Sequence, residues 1–176
     1  YSINQIAKKC AITPNGTLKI LRKFEKEGLL QSKKIANILS YFLDFNNEKT
    51  KNILELALNE DLAGRIKFRY EDLKKLKDIT EVCILFGSYI DLKKEPNDLD
   101  ILFILNKMQF KKYKKESLQI YKTIPIKVHD ILQTEEDFKK NIGNKDKVII
   151  EILKTGKILW GSKKVISIIE DGNKKT

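Results

Sequence analysis

The chain has 176 residues, 41% hydrophobic and 34% charged, with 35 lysines and arginines against 24 acidic residues and a formal net charge of +11. At that length a chain buries about two thirds of its extended surface, enough for one compact domain and a smaller one, and the positive excess favours a polyanionic partner. There is no apolar run of the roughly 18 residues that a membrane span needs and no signal-peptide pattern, so the expectation is a cytoplasmic protein with no membrane partner. The only cysteines, Cys10 and Cys83, make neither a disulfide framework nor a zinc cluster.

Residues 2–9 place Ile3, Ile6 and Ala7 on one helical face behind Ser2, a plausible cap. Thr13-Pro14 then reads as a cap followed by a proline at the first helical position, and Gly28 closes that second helix. Leu18, Leu21, Phe24 and Leu29-Leu30 form its apolar stripe. Residues 30–34 and 38–45 read as two short strands around an Ala36-Asn37 turn.

Two short helices, a sharp connection and a hairpin resemble the winged helix-turn-helix group of DNA-binding domains, although the helix that usually precedes the pair is not in this sequence. The resemblance implies duplex DNA as a partner of residues 1–45. Asn15, Thr17 and Lys19 would lie near base edges, with Arg22, Lys23, Lys33 and Lys34 toward phosphates. Eight basic against three acidic residues, a net of +5 over residues 1–45, fit that partner. Lysine outnumbers arginine, which supports backbone attraction better than tight base reading. A helical packing module and a lysine-rich compositional bias are the alternatives.

Residues 46–59 read as a connector or dimerisation helix with Ile53, Leu54, Ala57 and Leu58 as its apolar face. A winged helix on a palindromic operator needs a two-fold partner, so a homodimer is expected. Residues 60–77 read as a further helix carrying Leu62, Ile66, Tyr70, Leu73 and Leu76, with a bend or junction at Gly64, which costs about 1 kcal/mol relative to alanine.

Residues 82–105 are the most informative stretch. Val82-Cys83-Ile84-Leu85-Phe86 reads as a buried strand ending at Gly87, where a small residue lets the backbone approach a ligand and Ser88 offers a hydroxyl beside exposed N–H groups. Residues 99–105 read as a second core strand, and period-2 geometry puts Asp98 and Asp100 on one side of its start. Two converging carboxylates repel unless a cation or a proton lies between them, and their oxygens suit magnesium.

Phe86-Gly87-Ser88 followed by Asp98-Leu99-Asp100 resembles the signature of the nucleotidyltransferase superfamily, especially its minimal type. The likeness covers about residues 79–161. It implies a small mixed sheet with flanking helices, Mg2+ and a nucleoside triphosphate as ligands, and transfer of a nucleotidyl group to a hydroxyl. Gly87 and Ser88 would hold the β and γ phosphates, and Asp98 and Asp100 the metal. The departure lies in residues 126–132, where many active members bring a third carboxylate. Here His129 matches that slot as a metal ligand or base, with Lys127 on its face and Asp130 displaced by one residue to the other. An ordinary half-buried strand histidine is the alternative.

The lysine-rich residues 107–115 read as the solvated start of a helix with Phe110, Tyr113, Leu118 and Tyr121 inside. Residues 135–142 and 145–154 read as helices, and Lys157-Ile158-Leu159-Trp160-Gly161 as a short strand that minimal nucleotidyltransferases also resemble at their ends.

The expected fold is therefore α+β: a winged helix-turn-helix at 1–45, a connector at 46–59, a nucleotidyltransferase-like mixed sheet with flanking helices at 60–161, and a fraying C-terminal tail at 162–176. Three classes of function stay open. One is a magnesium-dependent nucleotidyltransferase, one a DNA-binding regulator that senses a nucleotide without catalysis, and one a structural or interaction protein that keeps the fold. A DNA-binding protein carrying the nucleotidyltransferase-type domain is the preferred expectation.

Overall fold

The computed structural model describes residues 1–59, 62–93 and 95–173 and has a mixed α+β fold. Glu60, Asp61 and Lys94, and the last three residues of the expected tail, lie outside the described residues. The chain divides into two compact units, Tyr1–Leu54 and Glu55–Thr176.

In the first unit, α1 (Ile3–Lys9) starts at Ser2, whose hydroxyl accepts from the Gln5 N–H while the Gln5 side chain accepts from the Ser2 N–H. This reciprocal box satisfies two of the donors that every helix start leaves over. α2 (Pro14–Lys26) is capped by Thr13, which accepts from the Gly16 N–H at 3.1 Å. β1 (Leu30–Ile35) and β2 (Ile38–Leu43) pair antiparallel across a two-residue turn in which Ala36 has φ +52°. β2 ends at Leu43 rather than at residue 45, although the Asp44 N–H still donates in register to Leu29 O at 3.0 Å.

Thr17 departs from its expected place near base edges. It is only 1% exposed, and its hydroxyl donates back to Thr13 O at 3.0 Å. It lies four residues before buried Leu21, on the inward stripe of α2. Asn15, Lys19, Arg22, Lys23, Lys33 and Lys34 are all exposed. α3 (Glu48–Leu58) crosses the boundary between the units, and on its expected apolar face Leu54 and Leu58 are half-buried while Ile53 and Ala57 are exposed.

The second unit is a four-stranded sheet covered on both faces. α4 (Gly64–Leu73) passes into a 3-10 turn (Lys74–Asp78), so Gly64 opens the helix instead of bending it. β3 (Val82–Phe86) leads through a 3-10 turn (Gly87–Ile90) to β4 (Asp98–Ile104). Then follow α5 (Phe110–Tyr121), β5 (Lys127–Gln133), α6 (Glu135–Gly143), α7 (Lys147–Thr155), β6 (Lys157–Trp160) and α8 (Ser162–Asn173). The strand order is β5-β4-β3-β6, with β4 parallel to β5 and the other pairs antiparallel. The two apolar runs expected as strands are thus neighbours in one sheet.

Alternation along the strands divides the core in two. Cys83, Leu85, Leu99, Ile101 and Phe103 pack with Leu73, Leu76 and Tyr113 on one face. Val82, Ile84, Leu102 and Ile104 pack with Phe138, Ile149, Ile152, Val165 and Ile168 on the other. α5 buries Tyr113, Ser117 and Ile120, leaving Leu118 exposed, because the inward stripe follows the three- and four-residue steps from Tyr113.

Residues 162–173 are a helix and not a fraying tail. Val165 and Ile168 of α8 are buried in the second core, and each such aliphatic side chain contributes about 1.5–3 kcal/mol when withdrawn from water. Gly161, with φ +87°, lets α8 follow β6 directly. A Cβ there would stand 2.2 Å from Glu81 O.

Candidate metal and phosphate site

Asp98 and Asp100 open β4 on the face that further along carries Leu102 and Ile104, while Leu99 between them is fully buried on the other. In the parallel pairing Asp98 stands opposite Lys127 and Asp100 opposite His129. The pleat therefore turns His129 to the aspartate face. Its Nδ1 lies 3.5 Å from Asp98 Oδ2 and 3.5 Å from Asp100 Oδ1. One donor atom from each of the three residues falls within 4.8 Å of the others, and among the described residues this is the group of histidine, cysteine and carboxylate side chains that converges in this way.

Burial and then the neighbouring Asp98 charge push the Asp100 carboxyl above its ordinary value, while the His129 imidazole acts in the other direction. The residues present fit a divalent cation: two carboxylates and an imidazole nitrogen face a common point, and a positive ion would relieve the repulsion that raises Asp100.

Gly87 stands beside them. Antiparallel pairing sets Phe86 opposite Asp100, and the next residue turns with φ +71°. A Cβ on Gly87 would lie 2.3 Å from Asp100 Oδ2, so the positive φ favours glycine and any side chain there would have to displace that carboxylate. Ser88 follows half-buried in the turn. An open cleft of about 730 Å³ borders Gly87 and Ser88, with Phe86 and Ile90 on the turn side and Lys147, Val148 and Glu151 on α7.

Arg65 holds the far side of this turn, which nothing in the sequence singled out. From α4 its Nε donates to Tyr89 O at 2.8 Å, its Nη2 donates to Asp91 O, and its guanidinium lies over the Tyr89 ring at 5.1 Å. The bond spans 24 residues of sequence, beyond the reach of any local pattern.

Asp130, one residue past His129, faces the opposite side. Its Oδ2 accepts from the Tyr113 hydroxyl at 2.7 Å and from the Tyr121 hydroxyl at 3.2 Å. Burial raises both tyrosines well above the ordinary phenol value, with the Asp130 charge adding to it. A third carboxylate from β5 is thus committed elsewhere. Lys127 is exposed beside Asp98, and the five lysines of residues 107–115 are exposed as expected of a solvated helix start.

Among the described residues no helix is long and apolar enough to cross a membrane. No family model matches the chain, and neither does any curated protein or solved structure.

Proposed function

We propose that the Glu55–Thr176 unit binds a nucleoside triphosphate with Mg2+ and transfers a nucleotidyl group to a hydroxyl acceptor, in a DNA-binding protein. The observation that carries this reading is the convergence of Asp98, Asp100 and His129 beside a turn whose positive-φ glycine stands against the Asp100 carboxylate. Asp98 and Asp100 would hold the cation. When bound, magnesium would neutralise phosphate charge and lower the pKa of the attacking hydroxyl. Gly87 offers its backbone at close range and Ser88 its hydroxyl to the β and γ phosphates, and Arg65 keeps that turn in place through Tyr89. Calorimetric titration of a triphosphate with Mg2+ tests the reading. The expected result is saturable binding by the unmodified protein that disappears in the Asp98→Ala, Asp100→Ala double variant. Equal metal-dependent affinity in the two proteins would sink the roles assigned here.

A second reading, a regulator that senses the nucleotide without transferring it, is favoured by the commitment of Asp130 to Tyr113 and Tyr121. Release of pyrophosphate under conditions of saturating triphosphate and hydroxyl acceptors separates it from the first.

For the Tyr1–Leu54 unit the proposed partner is duplex DNA, engaged by a homodimer. Asn15, Lys19, Arg22 and Lys23 are exposed on α2, and Lys33 and Lys34 on β1. Selection from randomised duplexes tests it, and absence of both enrichment and retention at low salt would leave a packing module.

A further inference from the structure

We infer that the Asp98–Asp100–His129 group selects a first-row transition dication, manganese or a later metal, over magnesium, and that His129 sets this preference. The inference rests on the reading of this group as a cation site.

The backbone determines which donors are available. Parallel register brings His129 opposite Asp100, and Ile131, two residues on, packs into the second core and so fixes the direction in which His129 turns. The carboxylate of Asp130 is turned to the other face and bonded to Tyr113 and Tyr121. The donor set that β4 and β5 offer is therefore two oxygens and one nitrogen.

Distances fit a shared ion. A charge-assisted bond from imidazolium to carboxylate runs at about 2.7–2.9 Å. At 3.5 Å from each aspartate, Nδ1 is spaced as a co-ligand rather than as the donor of a close ion pair. Donors about 2.1 Å from a shared ion stand about 3.4 Å apart at tetrahedral angles and about 3.0 Å apart at octahedral ones. The 3.5 Å separations from Nδ1 to each aspartate lie within reach of a shared ion, and the donor types rather than the spacing carry the preference among metals. Magnesium asks for near-ideal octahedral oxygen ligation and yields its waters reluctantly, whereas a site that includes a nitrogen donor binds first-row dications with affinity that is lowest at manganese and rises through iron, cobalt and nickel, the metals that imidazole suits being iron, nickel, copper and zinc.

The test uses the full chain and Mn2+ followed by electron paramagnetic resonance, with Mg2+ as competitor. One Mn2+ site is expected, carrying a nitrogen modulation in its spin echo, and displaced by Mg2+ only at about a hundredfold excess or more. His129→Ala should weaken Mn2+ by about tenfold or more, and His129→Asp should remove the nitrogen modulation and shrink the Mn2+ over Mg2+ preference by at least about tenfold. His129 is exposed, and circular dichroism of both variants checks that the fold persists. Displacement by equimolar Mg2+, or unchanged Mn2+ affinity and modulation in both variants, would overturn the inference. Triphosphate binding measured in parallel keeps the two claims apart. Mn2+ selectivity without triphosphate binding would defeat the nucleotide reading alone, and Mg2+-supported triphosphate binding with no Mn2+ preference would defeat this inference alone.

Discussion

His129 and Asp130 are adjacent on β5 and serve opposite faces of the sheet. On one face His129 joins two aspartates that no close hydrogen bond reconciles, and Asp100 carries the cost as a raised proton affinity. On the other, Asp130 Oδ2 lies within hydrogen-bond reach of the Tyr113 and Tyr121 hydroxyls, which also face each other at 2.6 Å. A satisfied network rigidifies a core, whereas converging like charges are retained against stability. The difference is that like charges converge on the aspartate face, whereas on the tyrosine face hydroxyls converge on a single carboxylate.

The largest effect is expected from Gly87→Ala. Its Cβ would overlap Asp100 Oδ2 in a backbone conformation that side chains disfavour, so cation affinity should fall by about a hundredfold, with a stability loss of about 1–3 kcal/mol. Mn2+ titration and thermal unfolding measure the two. Retained affinity would mean that Asp100 is not a ligand in its present position.

Asp130→Ala should do the reverse. Loss of this acceptor, with Tyr113 and Tyr121 still bonded to each other, should cost about 0.5–1.5 kcal/mol in urea unfolding while leaving cation affinity unchanged. A fall in cation affinity with the fold intact would erase the contrast between the faces.

Asp100→Asn should raise stability at neutral pH slightly, since it removes a partly buried charge beside Asp98 whose repulsion solvent screens. The sign follows from proton linkage. A carboxyl whose pKa is raised on folding supplies stability that is fully present below its unfolded value and is lost as pH rises through the folded value. The wild type should therefore lose stability relative to Asp100→Asn as pH rises from just below the ordinary carboxyl value of 3.8 to above the raised one, with no further separation beyond. Melting temperatures across that window decide it.

The smallest effects belong to the exposed surface of α2, where neither face of the sheet is involved. If Arg22 or Lys23 touches phosphate, replacing it with alanine should weaken all duplexes alike and lower the salt slope by about one unit. A change confined to particular base pairs would assign base reading instead.

Local pattern sufficed for much of this molecule. The Thr13-Pro14 start, the hairpin around Ala36-Asn37 and the alternation that puts Asp98 and Asp100 together all depend on neighbours a few residues apart. Two misreadings were legible in the same terms: Thr17 lies one turn before Leu21, and Val165, Ile168 and Ile169 have the spacing of a buried helical stripe. Other features required the folded chain. That His129 rather than Asp130 meets the aspartates depends on the register of β5 against β4, and a slip of one residue would exchange them. Arg65 reaches the Gly87–Ile90 turn only because packing brings α4 beside it, and the two residue types in that contact carry no mutual pattern in the sequence. Periodicity determines which face of an element a side chain takes, but the partner on that face is chosen by long-range packing.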